Sequence, residues 1–158
     1  MRWARQSLDF ILRWLLVRVL SSKRTTATTL DGFDIYGPGA FQLMIQDALE
    51  FIRRADPDFL TSQLTRRNLV VGYHERYCMR SIGAGGSVIN DSFIGFGADA
   101  IIALLVIMLH SERLLKDWNS KNEMNSVVQN SLSSTARWLE EHDCDPTILG
   151  KIFQIARK

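Results

Sequence analysis

The residues best placed to do chemistry lie at the end of an apolar run, Ala100–Leu109, which leads into His110-Ser111-Glu112-Arg113-Leu114, with Glu123 a short distance beyond. A helix that binds zinc for hydrolysis presents two histidines one turn apart. A carboxylate beside the first activates water, and a third ligand, often Glu, arrives from the next helix. Here His110 and Glu123 stand in suitable positions. Ser111 takes the place of the acid and Leu114 that of the second histidine, so a hydroxyl replaces the general base and a side chain without a donor atom replaces a ligand. One imidazole and one carboxylate form a weak zinc site. The alternative for His110 is a partly buried histidine, hydrogen-bonded at the end of a core helix to a residue such as Glu123.

Other donors are scattered. His74 falls in a strand-like region, and His142 stands beside Asp143 and Cys144 at a helix end; either would need tertiary placement to approach His110. His74 and Cys78 are four residues apart in Tyr73-His74-Glu75-Arg76-Tyr77-Cys78. Even spacing in a strand puts both on one face without setting a nucleophile–base hydrogen bond, so packing is the expected role. Cys78 and Cys144 allow one bridge or two buried thiols, and buried thiols are the favoured reading. Gly83-Ala84-Gly85-Gly86 lacks the Gly-Lys-Ser/Thr ending of a phosphate loop and reads as a connection.

The elements that must position these residues come from hydrophobic spacing. Leu30–Tyr36 reads as a short strand and Gly37-Pro38-Gly39 as a turn. Phe41, Met44, Ile45, Ala48, Leu49 and Ile52 mark an amphipathic helix to about Arg54, and Asp56-Pro57 starts a second helix running to about Arg66. Leu69–Tyr73, Tyr77–Ile82, Ser87–Ile89 and Phe93–Phe96 are strand-like and predict a small antiparallel sheet. Asp99 is the expected cap of a helix whose stretch Ala100–Leu109 has no polar face, as in a helix buried on most sides. Glu123–Glu141 resumes helical spacing, and Asp145-Pro146 caps a last helix. The expected fold class is α+β, mainly helical, with the small antiparallel sheet preceding the buried central helix. A chain of 158 residues suits one domain with a core of its own.

Charge is unevenly distributed. Residues 1–30 hold six of the 19 basic side chains (Arg2, Arg5, Arg13, Arg18, Lys23, Arg24) and one of the 17 acidic ones, Asp9, which leaves the rest acidic by three. A body of that charge argues against nucleic-acid binding. On a helical wheel Arg2, Arg5, Gln6, Asp9 and Arg13 share one sector, while Trp3, Phe10, Ile11 and Trp14 lie on the other side. Phe10–Leu20 provides eleven mostly apolar residues, where a membrane span needs about twenty. Residues 1–20 therefore read as an amphipathic helix lying at a membrane interface, with Trp3, Arg5, Phe10, Ile11, Arg13 and Trp14 as contact residues. An organellar targeting sequence and a helix docked on this domain or on a partner are the other two readings. Residues 21–29 read as a linker, and residues 30–158 as the folded domain.

Over residues 30–155 the order of these pieces resembles a family of small bacterial membrane-anchored zinc-metallopeptidase-like proteins. The residues that carry the likeness are Leu30-Asp31-Gly32-Phe33-Asp34-Ile35-Tyr36-Gly37, Ala48-Leu49-Glu50-Phe51-Ile52 with Asp56-Pro57, and the helix entering His110. Trp118, Glu123, Gln129 and Trp138-Leu139-Glu140-Glu141 leading to Ile148-Leu149 complete the series. The resemblance implies a His-acid-x-x-His helix followed by a glutamate, in which His110 matches the first histidine and Glu123 the third ligand. Ser111 and Leu114 depart from that pattern, which implies a degenerate, non-catalytic member without a resident cofactor. Such a protein is expected to act at a membrane as a scaffold or accessory subunit, binding a protein partner such as a larger membrane complex. Two rivals stand beside it: a metal-dependent hydrolase using His110, Glu123 and a third ligand, with zinc as cofactor, and a soluble protein-binding domain whose first helix packs on its own body.

Overall fold

The computed structural model describes residues 11, 14–16, 18, 20, 27–63, 68–81, 85–116 and 124–154. Ile11, Trp14, Leu15, Leu16, Arg18 and Leu20 are helical and belong to a first helix, α1. There follow β1 (Ala27–Leu30), β2 (Phe33–Tyr36), α2 (Gly39–Ala55), α3 (Pro57–Gln63), β3 (Leu69–Tyr73), β4 (Met79–Ser81) and β5 (Gly86–Ile89). The chain continues through α4 (Asp91–Ile94), α5 (Ala98–Lys116), α6 (Met124–Glu141) and α7 (Ile148–Gln154). The fold is α+β and mainly helical, with the sheet ahead of the central helix α5.

The sheet is mixed rather than wholly antiparallel. Its order is β1-β2-β3-β5-β4, and the inner pairs β2–β3 and β3–β5 are parallel while the outer pairs are antiparallel. Helices α2 and α3 return the chain between β2 and β3, and β5 then inserts between β3 and β4, so three strands point the same way. Two local expectations change as well. The stretch Leu30–Tyr36 is not one strand, because Asp31 and Gly32 both take positive φ (49° and 80°) and fold it into a β1–β2 hairpin. The sheet therefore begins at Ala27, inside the expected linker. Phe93–Phe96 is not a strand: the Asn90 side chain accepts from Phe93 N at 3.1 Å and starts the short helix α4.

Parallel inner strands are covered on both faces and carry continuous apolar runs. One face presents Phe33, Ile35, Leu69, Val71 and Ile89 to the main core, built with α2, α3, α5, α6 and α7. Central in that core is α5, buried from Ala100 through Ile107, because α2, α3, α4, α6 and α7 all pack on it. Asp99 does not cap this helix; it lies in the first turn and accepts from Asp145 N at 3.2 Å. Asp56 does cap α3, accepting from Phe59 N at 3.0 Å.

The other face is covered by α1. Leu16 and Leu20 are 4% and 2% exposed and pack with Val70 and Val88. The sheet register explains their seats: Val70 pairs with Gly86 and Gly72 with Val88, so two valines and two glycines alternate on adjacent strands. Leu16 lies over Gly86 and Leu20 over Gly72, where any β-carbon would sit 2.4–2.5 Å from the leucine. Burying two leucines contributes about 3–6 kcal/mol. A helix docked on its own domain, one of the three readings of residues 1–20, is thus the observed arrangement for these residues.

Candidate functional site

His110 projects from α5 against α3, where its ring centroid is 4.9 Å from that of Phe59. Phe59 in turn lies 5.7 Å from the Trp138 ring of α6, and Trp138 stacks on His142 at 4.2 Å. Four rings thus form a ladder from α5 to the end of α6, with a histidine at each end. Asp56 fixes its middle, since the carboxylate that caps α3 also accepts from Trp138 Nε1 at 3.1 Å. At the far end His142 Nδ1 lies 2.7 Å from Trp138 O; a carbonyl only accepts, so Nδ1 carries a proton and donates.

Among the described residues, His110 Nε2 is buried and has no hydrogen-bond partner. Burial holds the imidazole well below its ordinary value, to about 4, and the Arg113 charge adds to the effect. His110 is therefore neutral near pH 7. The expected hydrogen bond from His110 to Glu123 lies outside the described residues, as does Glu123 itself.

Ser111 faces elsewhere. Its hydroxyl donates to Ile107 O at 2.6 Å and shares a 3.0 Å hydrogen bond with Ser131 of α6. Ser111, Ser131 and Thr135 are all buried, at 1%, 0% and 0% exposure. Small polar residues on facing turns let α5 and α6 approach closely, and the position where a zinc-dependent hydrolase needs an acid lies within that seam. Leu114 is half-buried and has no donor atom. No three His, Cys, Asp or Glu side chains converge as metal ligands among the described residues. The described part of the site thus does not make a zinc ligand set: its orphaned imidazole nitrogen lacks companions.

The other donors have structural roles. His74 is buried beside the C-terminal end of β3, and its Nδ1 accepts from Arg76 N at 3.1 Å and Tyr77 N at 3.3 Å, which closes the turn. Neither cysteine is in a disulfide; Cys144 is buried and burial raises its pKa, so it is a thiol rather than a nucleophilic thiolate. Arg53 pairs with Asp31 and Glu50, and Arg54 Nε with Glu50 at 2.7 Å. Arg66 and Arg67 lie outside the described residues.

Of the expected membrane contacts, Ile11 and Trp14 are on the outer side of α1, each 49% exposed; Trp3, Arg5, Phe10 and Arg13 lie outside the described residues. Leu15 is exposed as well, and the Arg18 guanidinium sits 4.9 Å above the Trp14 ring. No helix among the described residues is long and apolar enough to cross a membrane. Hydrophobic spacing does not single out Phe59, Ser131 or Gly72, and Gly86, expected in a connection, opens β5. Ser131 and Thr135 one turn apart on α6 were a signal for a close helix seam, whereas the glycine seats could be found only from strand register. No family model, curated protein or solved structure matches the chain.

Proposed function

We propose that this chain is a non-catalytic, metallopeptidase-like domain that works at a membrane surface as a scaffold or accessory subunit for a protein partner. The observation that carries the reading is Ser111. Where the hydrolytic chemistry needs an exposed carboxylate beside the histidine, a buried hydroxyl joins α5 to α6. That position contributes to helix packing, its hydroxyl being held between Ile107 O and Ser131. The split of α1 into an inner and an outer face supports the membrane part, because docking uses Leu16 and Leu20 and leaves Trp14 outward.

A metal-dependent hydrolase draws on one observation of its own, a neutral His110 whose Nε2 has no hydrogen-bond partner among the described residues. Elemental analysis after purification without added zinc separates the two. A folded, metal-free protein without peptidase activity is expected. One equivalent of zinc that disappears in His110→Ala would overturn the non-catalytic reading and make Glu123 the next ligand to test.

A further inference from the structure

We propose that α1 binds an anionic lipid surface while it remains seated on the sheet, so that the domain is held rigidly with this helix between it and the bilayer. The inference rests on the membrane reading above and specifies its lipid chemistry and its geometry. At 100° per residue, Ile11, Trp14, Leu15 and Arg18 centre on one side of the helix and Leu16 and Leu20 on the opposite side. The exposures agree: the first four are outward, and the two leucines are buried over Gly86 and Gly72. The helix can therefore hold the sheet and a second surface at once. An occupant that needed Leu16 and Leu20 would have to strip them from Val70 and Val88.

The chemistry of the outer face selects the occupant. Trp14 offers an amphipathic ring suited to headgroup depth, Ile11 and Leu15 offer apolar side chains beside it, and Arg18 over the ring presents a guanidinium that pairs with phosphate oxygens. Residues 1–30 carry six basic side chains against one acidic, while the rest of the chain is acidic by three. An anionic surface attracts the first and repels the second, which turns the N-terminal segment toward the lipid; on the outer face itself the charge is that of Arg18, because Arg2, Arg5 and Arg13 share the sector opposite Ile11 and Trp14.

The test is flotation of the full chain with phosphatidylcholine vesicles, with and without phosphatidylglycerol. It is repeated on a Leu16→Cys/Gly86→Cys variant in a Cys78→Ala background, whose oxidised bridge ties α1 to β5. Binding at least about tenfold tighter to the anionic vesicles is expected, lowered by salt and by Arg18→Glu, and retained in the bridged form. Equal binding to both vesicles would overturn the anionic preference, and binding lost on bridging would overturn the docked geometry, with membrane association surviving in each case. No flotation with either vesicle would sink the membrane reading and this inference together. If the bridged variant does not fold, hydrogen exchange of the unmodified chain on vesicles decides. Unchanged protection in Val70–Gly72 and Gly86–Val88 supports a seated helix, and loss of protection overturns it.

Discussion

The hydroxyls of Ser111 and Ser131 meet at 3.0 Å across the α5–α6 seam, one residue away from a histidine whose Nε2 has no hydrogen-bond partner among the described residues. Adjacent helical residues project about 100° apart, so His110 and Ser111 serve different neighbours: Phe59 of α3 for the ring, α6 for the hydroxyl. An acid placed at position 111 should therefore harm the fold instead of creating a site. Ser111→Ala is expected to cost about 1–2 kcal/mol, the value of a buried hydrogen bond whose partner is left behind. Ser111→Glu should cost more than about 3 kcal/mol, because it brings a carboxylate and extra volume into a closed seam. Urea unfolding of the two variants measures this, and a Glu variant as stable as the parent would show that the seam opens easily.

His110 makes stability depend on pH in a defined window. Its folded pKa of about 4 is below the ordinary 6.5, so the unfolded chain binds the proton more readily. The contribution is complete above pH 6.5 and is lost as pH falls from 6.5 toward 4, reaching at most about 3 kcal/mol. His110→Leu should abolish that component while leaving the carboxylate contributions at lower pH, such as those of Asp145, whose Thr147 hydrogen bonds lower its pKa. Denaturation midpoints at pH 7.5 and pH 5 provide the comparison. The same fall in parent and variant would mean that His110 is more open to solvent than its contact with Phe59 implies.

Much of this fold is legible in the sequence wherever one face of one element decides the outcome. The spacing from Phe41 to Ile52, the Asp56-Pro57 cap and the facelessness of Ala100–Leu109 each express burial against a single large core. Strand direction is not encoded that way: Leu69–Tyr73 reads as a strand in any sheet, and its parallel partners follow from where α2 and α3 return the chain. The Asp31-Gly32 turn was available as a local hairpin signal, since Gly accepts positive φ freely and Asp does so more readily than most residues. For the candidate site, His110 and Ser111 could be found from spacing, but the directions they face depend on α3 and α6, which helical periodicity alone does not place.

The glycine seats under α1 give an ordered pair of expectations. A β-carbon at Gly72 would fall within 3.1 Å of three atoms of Leu20, so the whole side chain must move; at Gly86 it meets only the Cδ2 end of Leu16 so closely. Gly→Ala also stabilises by about 0.4–1 kcal/mol through the unfolded chain. Gly86→Ala should accordingly lie near neutral, and Gly72→Ala should lose about 1–2 kcal/mol as overpacking prevails. Thermal unfolding ranks them, and hydrogen exchange at Leu16 and Leu20 reports whether the helix lifts. A reversed order would mean that Leu20 adapts more easily than Leu16.

Asp56 joins the start of α3 to α6 through one carboxylate, with Oδ1 on Phe59 N and Oδ2 on Trp138 Nε1. Removing it in Asp56→Ala uncaps α3, at about 0.5–2 kcal/mol, and strands the indole N–H, at about 1–3 kcal/mol. Trp138→Phe removes the second interaction only, and the double variant isolates their coupling, expected at about 1–2 kcal/mol. The consequence extends to His110. Phe59 is both the residue whose amide Asp56 holds and the ring that covers the imidazole, so a frayed α3 should admit water to Nε2. NMR titration of the His110 ring then reads the positioning directly: its midpoint should rise from about 4 toward the ordinary 6.5 in Asp56→Ala, and stay low in Asp56→Ser, which retains a cap. An unmoved midpoint in Asp56→Ala would mean that burial within α5 and α6 alone desolvates His110, and that Phe59 contributes packing without shielding.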